Sequence, residues 1–366
     1  MPNVMTSNIP PPVPYSLDRA LLFAIGAGVP VLVALTSGEP RAALFAGMGA
    51  VMALQTDPRR SISTRVVSVL VAIGLIIGAG ALGVMLQQDH VTMHVIVVFI
   101  TFLAGLPKPF FPYLTMVGKI CAAIVIVTSA GFAATTAAAS TFAAGGIFAL
   151  LVGVLISFWR YNRGTGLTPF GEMRALMSGQ RNPLFYAITL AVTVALAMFA
   201  ADSLHAMLPG WVGLTVLFVM HPDDATALKL ITQRIGGTLA GIVLAGIIVH
   251  FVHEPWTLAI LAISMAAFLP KATAVNYFWM STVFTTLVML LLDLALLDKG
   301  GDAQLLLWRL YDTVLGCLVA GSVLLVLYGT EGWRQRNADR KRKANDADAD
   351  PPDAPEASVG DGGVQG

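Results

Sequence analysis

Apolar residues in this chain come in long runs rather than in alternation, and short polar breaks separate the runs. Twelve runs can be traced. They cover 19–36, 40–55, 63–87, 91–106, 109–130 and 136–159, then 183–201, 209–220, 226–252, 255–270, 274–296 and 304–328. A bilayer core takes about 20 apolar residues per helical crossing. In lipid only helices and closed barrels satisfy their own backbone groups, and long runs without a period of two select helices. The pattern predicts an all-α fold, a polytopic membrane helix bundle. The runs 209–220 and 255–270 are short for a crossing; tilt, half-helices or re-entry would each accommodate them.

The second six runs echo the first. Leu106-Pro107-Lys108 and Leu269-Pro270-Lys271 are each expected to close a fourth segment. Tyr113 and Tyr277 open a fifth, and Arg65 and Arg234 fall early in a third. The offset is about 165 residues, and an even number of helices keeps both halves in one orientation. The expectation is two parallel-oriented repeats of about six transmembrane segments. In order, the chain reads as an N-terminal cytoplasmic segment (1–18), a first transmembrane repeat (19–160), a cytoplasmic linker (161–182), a second repeat (183–328) and a disordered tail (329–366). The tail is basic, then acidic and Pro-rich, and cannot bury a core.

Composition narrows the function classes. Of 366 residues 56% are hydrophobic and 12% charged, about half the charge of a soluble domain. The net charge of +1 comes without a basic stripe outside the tail, so no nucleic-acid partner is indicated. Cys121 and Cys317 both sit inside apolar runs and read as small hydrophobes, neither disulfide nor metal site. His250-x-x-His253-Glu254 lacks a third strong ligand, so no metal is assigned. There is no nucleotide loop and no nucleophile elbow. No enzyme activity and no cofactor is expected. No clear cleavage site follows the first run, which reads as a retained helix.

The residues that could carry chemistry form a pattern that occurs twice. Arg234-Ile-Gly-Gly237-Thr238-Leu-Ala-Gly241 opens the ninth run, and Arg309-Leu-Tyr-Asp312-Thr313-Val-Leu-Gly316 opens the twelfth. Arg, the residue three on, Thr four on and Gly seven on share one helix face. Gly237, Gly241 and Gly316 make that face thin, so that another helix can approach closely. An arginine there costs about 2.5–3.5 kcal/mol on insertion scales, so it must meet a partner, a wet cavity or an interface. Its planar fork fits a carboxylate. Arg234 and Arg309, with Thr238 and Thr313 beside them, are therefore either an anion pathway or structural residues: Arg309 paired with Asp312, Arg234 snorkelling. Lys119, two turns past Tyr113, either lines the pathway or pairs across helices. Asp312 is the carboxylate deepest in an apolar run. It either neutralises Arg309 or cycles a proton.

The run Trp211-Val-Gly-Leu-Thr215-Val, then Arg234-x-x-Gly-Thr-x-x-Gly241, then Tyr277, Thr285-Thr286 and Arg309-x-x-Asp-Thr-x-x-Gly316 resembles the fusaric acid resistance family of bacterial inner-membrane proteins. Related families are the aromatic carboxylic acid exporters and the plant aluminium-activated malate channels. The likeness covers 183–328 and is weak over 19–160. It implies export of small organic anions across the inner membrane, aromatic carboxylates foremost, driven by the proton gradient. A periplasmic adaptor and a homo-oligomer are possible partners besides the anion and the bilayer. An uncoupled anion channel and a non-transport scaffold are the competing expectations. Two departures stand out: many such exporters carry a large cytoplasmic domain, and the first half here lacks the arginine motif.

Charge placement sets the orientation. With the N-terminus inside, the inner loops hold Arg59, Arg60, Lys108, Arg160, Arg163, Arg174, Arg181, Lys229 and Lys271, whereas the outer loops hold only Arg41 and Lys299. Positive residues concentrate on the cytoplasmic side of membrane proteins, so both termini should be cytoplasmic. A fluorescent protein fused to the C-terminus should therefore glow and an alkaline phosphatase fusion should be inactive. The reverse pattern would invert the orientation.

Overall fold

The computed structural model describes residues 17–57, 62–107, 112–129, 136–159, 169–177, 184–206, 209–221, 223–296 and 307–327. Met1–Gly321 form one compact unit and Ser322–Gly366 a second. Every regular element among the described residues is a helix. The first six are α1 (Leu17–Thr36), α2 (Pro40–Gln55), α3 (Ile62–Met85), α4 (His90–Gly105), α5 (Pro112–Ser129) and α6 (Thr136–Trp159). A short α7 (Pro169–Met177) precedes α8 (Leu184–Ser203), α9 (Pro209–Val219), α10 (Asp224–Phe251), α11 (Pro255–Val275) and α12 (Tyr277–Ala295). The last is α13 (Leu307–Leu327). All twelve predicted segments are present as helices, and eight of the helices are long and apolar enough to cross a membrane.

Local signals place the helix starts. Pro40 and Pro255 stand in the first turns of α2 and α11, where a missing N–H costs nothing. Asp89 accepts from the Thr92 N–H at 3.0 Å, Asp223 from Thr226 at 2.8 Å and Asn276 from Trp279 at 3.0 Å. Glu254 accepts from the Thr257 hydroxyl at 2.7 Å and its backbone N–H at 2.6 Å, which holds this carboxyl below its ordinary range.

The expected stop at Pro270 needs correction. Leu269-Pro270-Lys271 does not close a segment: α11 runs through Pro270 to Val275, for 21 residues. Neighbouring helices can absorb the hydrogen bond a proline removes, and Pro270 is buried. In the first half α4 does stop at Gly105, before Pro107. The short run 209–220 stays short, since α9 has 11 residues and reaches only about 16 Å of a core about 30 Å thick. The linker is not wholly irregular either. It contains α7, whose Glu172 is 1% exposed and accepts from the Leu114 N–H at 3.3 Å, at the start of α5.

The helix contacts fall into matched pairs when α1–α6 are set in order against α8–α13. α1 packs on α2, and α8 on α9; α3 packs on α5, and α10 on α12; α4 packs on α5, and α11 on α12. Across the halves, α1 meets α11 as α8 meets α4, and α2 meets α12 as α9 meets α5. The main core cluster lies where α1, α2 and α6 meet α11 and α12, around Phe23, Val51, Leu258 and Leu291.

Glycine permits close contacts on the helices that carry the repeated motif. A Cβ on Gly237 would lie 2.5 Å from the Phe278 carbonyl oxygen of α12, and one on Gly241 would lie 2.7 Å from that of Thr282. On α13, a Cβ at Gly316 would lie 2.7 Å from the Val212 carbonyl oxygen of α9. Gly241→Leu should therefore push α10 off α12 and cost about 1–3 kcal/mol, read as a lower melting temperature in detergent. Gly78→Ala, with nothing within 4 Å, should melt with the wild type or above it. Equal melting of both variants would show that the α10–α12 contact does not limit stability.

Candidate functional site

Between the two halves lies a cavity of about 450 Å³, within the usual range of small-molecule sites, about 300–1,000 Å³. Its walls differ. The first-half wall is apolar for most of its extent: Leu44, Phe45 and Met48 from α2, Ile76 and Ile77 from α3, Met116 and Ile120 from α5, and Phe142 from α6. The second-half wall carries Trp211 of α9, Arg234 of α10, Tyr277 of α12 and Arg309 of α13 among apolar neighbours.

The structure thus brings together two of the predicted site residues, Arg234 and Arg309, from helices far apart in sequence. They are 4% and 6% exposed. Nε of Arg234, and Nε and Nη1 of Arg309, have no hydrogen-bond partner. Arg309 lies over an aromatic face: its Cζ is 3.8 Å from the centre of the Trp211 ring. Such a contact is worth about 0.5–2 kcal/mol and leaves the guanidinium edge, where the donors are, free to face a carboxylate. Tyr277 is within electrostatic reach of both arginines.

The other predicted residues lie off the cavity wall. Thr238 is fully buried, its Oγ1 3.3 Å from Ser281 Oγ at the α10–α12 contact. The Thr313 hydroxyl donates to the Arg309 carbonyl at 2.9 Å. Lys119 is 4% exposed, with Nζ 5.8 Å from the centre of the Phe218 ring; Phe218, not Lys119, reaches the cavity. Asp312 is fully buried and neither carboxylate oxygen has a hydrogen-bond partner. The structural pair that sequence spacing allowed, Arg309 with Asp312, is not formed among the described residues.

Arg65, the first-half counterpart of Arg234 in order, is engaged. Its Nε donates to Asp57 Oδ1 at 2.9 Å, its Nη2 lies 2.8 Å from Asp57 Oδ2, and its Nη1 donates to the Gly153 carbonyl at 2.6 Å. This two-point ion pair ties α3 to the end of α2 and to α6. Trp211 and Tyr277 are the cavity residues sequence reasoning did not put in the site. Their signal was their place in the family-like runs, but nothing local indicates that Trp211 meets Arg309.

A bundle of apolar helices around a cavity with cationic groups defines a multi-pass helical membrane protein. Within it, residues 185–323 match the family model described as fusaric acid resistance protein-like, so the resemblance seen in the motifs is borne out over the second half. Among curated proteins, the chain is 32% identical over 171 residues to "Uncharacterized protein YhfK" of Escherichia coli K12, covering 45% of this chain and 24% of that protein. It is 24% identical over 155 residues to "Uncharacterized protein ORF2" of Neisseria gonorrhoeae, covering 42% and 36%. It is 29% identical over 161 residues to an uncharacterized protein of Haemophilus influenzae, covering 43% and 22%. The matched region thus spans about a third or less of each relative's length. No solved structure matches.

The two kinds of arginine should differ on removal. Arg65→Met removes the two-point ion pair with Asp57 and the bond to the Gly153 carbonyl, and should lower the melting temperature in detergent. Arg309→Met removes a buried charge whose Nε and Nη1 have no hydrogen-bond partner and which Arg234 repels, so its melting temperature in detergent should fall less than that of Arg65→Met. A large loss in Arg309→Met would show that Arg309 is structural.

Proposed function

We propose that this chain is an inner-membrane transporter that exports small organic anions, aromatic carboxylic acids foremost. One observation carries the reading: a cavity of about 450 Å³ in which two buried arginines on one wall face an apolar wall on the other. An amphipathic anion satisfies both at once. Its carboxylate supplies the charge that Arg234 and Arg309 lack, and its ring fills the apolar side. Inorganic anions would leave the apolar wall wet, and neutral aromatics would leave the arginines unpaired. The family likeness over 185–323 supports efflux as the direction.

The fold supports a carrier built of two repeats in parallel orientation. The matched contacts across the halves are those a duplication predicts, and each half contributes one wall. In such carriers the site lies at the repeat interface near the bilayer midplane.

Flux of labelled benzoate in proteoliposomes tests the reading. Arg234→Gln and Arg309→Gln should each lower uptake about tenfold or more, the usual worth of a charged hydrogen bond. Arg309→Lys should recover only part, because the ammonium has no fork. Wild-type flux in both glutamine variants would sink the proposal. Flux that follows voltage alone and never saturates would make the cavity part of a channel.

A further inference from the structure

The charges around the cavity do not cancel. Arg234 and Arg309 are both buried, and an arginine keeps its proton at any working pH. Within electrostatic reach of Arg309 lie Arg234 on α10, Tyr277 on α12 and Asp312 on its own helix. α9, which packs on α13 at Gly316, presents Trp211 and Thr215, neither of which titrates. Cys317 points at the Ile231 carbonyl of α10, 3.9 Å away. Asp312 is thus the one carboxylate of this group. It stands three residues beyond Arg309 on the same helix face, and neither of its oxygens has a hydrogen-bond partner.

With Asp312 ionised the group carries one net positive charge; with Asp312 protonated it carries two. A carboxylate ligand seated on Arg309 adds a second negative charge within electrostatic reach of the guanidinium that Asp312 already faces. Two carboxylates near one guanidinium repel, and that repulsion favours protonating one of them. The ligand is held by the arginines, whereas buried Asp312 has no hydrogen bond to stabilise its charge. Asp312 is therefore the group that takes the proton. By linkage the effect is reciprocal, and a proton on Asp312 tightens the anion by the same factor.

We infer that the cavity binds its organic anion together with a proton on Asp312, so that anion and proton are co-ligands and not competitors. This rests on the reading of the cavity as an anion site. It fixes the sign of coupling. Exchange of an outgoing anion for an incoming proton requires that each exclude the other, whereas co-binding carries both in one direction. A monocarboxylate and its proton then cross without net charge. An inward proton gradient opposes export through such a site, contrary to the expectation from sequence, and efflux follows the anion's own gradient.

Calorimetry on the full-length protein in detergent, in two buffers of different ionisation enthalpy, counts the protons taken up with the ligand. The probes are benzoate and benzenesulfonate, the second of which stays ionised throughout, so that any proton taken up with it belongs to the protein. Both should bind with uptake of up to about one proton and tighten by up to about tenfold per unit fall in pH. Asp312→Asn should still bind both, with no uptake and no pH dependence, and Asp312→Glu should restore both effects. Proton release on binding, weaker binding at lower pH, or uptake that persists in Asp312→Asn would overturn the inference. PH-independent binding by the wild type would overturn it alone; no binding of either probe by the wild type would overturn the anion-site reading with it.

Discussion

Positive charge buried in excess of negative charge is the constraint on which this bundle turns. Arg234 and Arg309 reach one cavity from two helices, and neither forms an ion pair with a carboxylate among the described residues. Each arginine costs about 2.5–3.5 kcal/mol to insert, and the Trp211 face returns about 0.5–2 kcal/mol for one of them. The rest must be offset elsewhere. The glycine contacts of α10 with α12 and of α13 with α9 do that locally. They hold the backbones of the arginine-bearing helices against neighbours through short carbonyl and Cβ contacts. Helices anchored in this way cannot easily rotate their arginines out of the cavity, so the charge stays exposed to whatever fills it.

The same residue type in the first half shows what the site would be if stability alone decided. Arg65 is also buried and also early in its helix, yet Asp57 takes two of its nitrogens and the Gly153 carbonyl a third. That arrangement is a closed structural pair joining three elements. Where α3 spends its arginine on holding the half together, α10 leaves its arginine unpaired at Nε. The difference between the walls follows: the first-half lining carries no charge, and the second-half lining holds both arginines. Under the proposed function, such a cavity would take an amphipathic anion with its carboxylate to α10 and α13 and its ring to α2 and α3.

How much of this the sequence disclosed depends on the range of the interaction. The twelve helices were legible because apolar runs and their breaks are local, and the small-residue faces at Gly237, Gly241 and Gly316 were legible because helical spacing is fixed. The arginines were recognisable as costly, but their fate was not. Arg65, Arg234 and Arg309 look alike in sequence, and only tertiary placement shows that the first has Asp57 and the others face the cavity. Lys119 shows the converse: its depth in α5 suggested pathway lining, whereas a small rotation about the helix axis sets it against Phe218 and leaves Met116 and Ile120 on the cavity side. Rotation of that size is decided by packing against other helices, which no local pattern encodes. Pro270 failed as a helix stop for a related reason, because neighbours in a bundle relieve what a proline would break in water.

Two of the shorter helices line the cavity. α2 has 16 residues and α9 has 11, they occupy matching places in the two halves, and both line the cavity. A helix of 11 residues covers about half the bilayer core, so space remains along its axis that a full-length helix would have filled. Paired short segments of this kind are where carriers place their sites. The contacts of α2 with α12 and of α5 with α9 join the halves beside that space, while α1 with α11 and α4 with α8 join them elsewhere. In the proposed carrier, a shift of one half against the other at these contacts would change the gap between the apolar and cationic walls. Closing the gap on a ligand expels water and strengthens the attraction between guanidinium and carboxylate; widening it admits water and weakens that attraction. Affinity and access are therefore tied to one movement, because the two things the ligand needs sit on different halves.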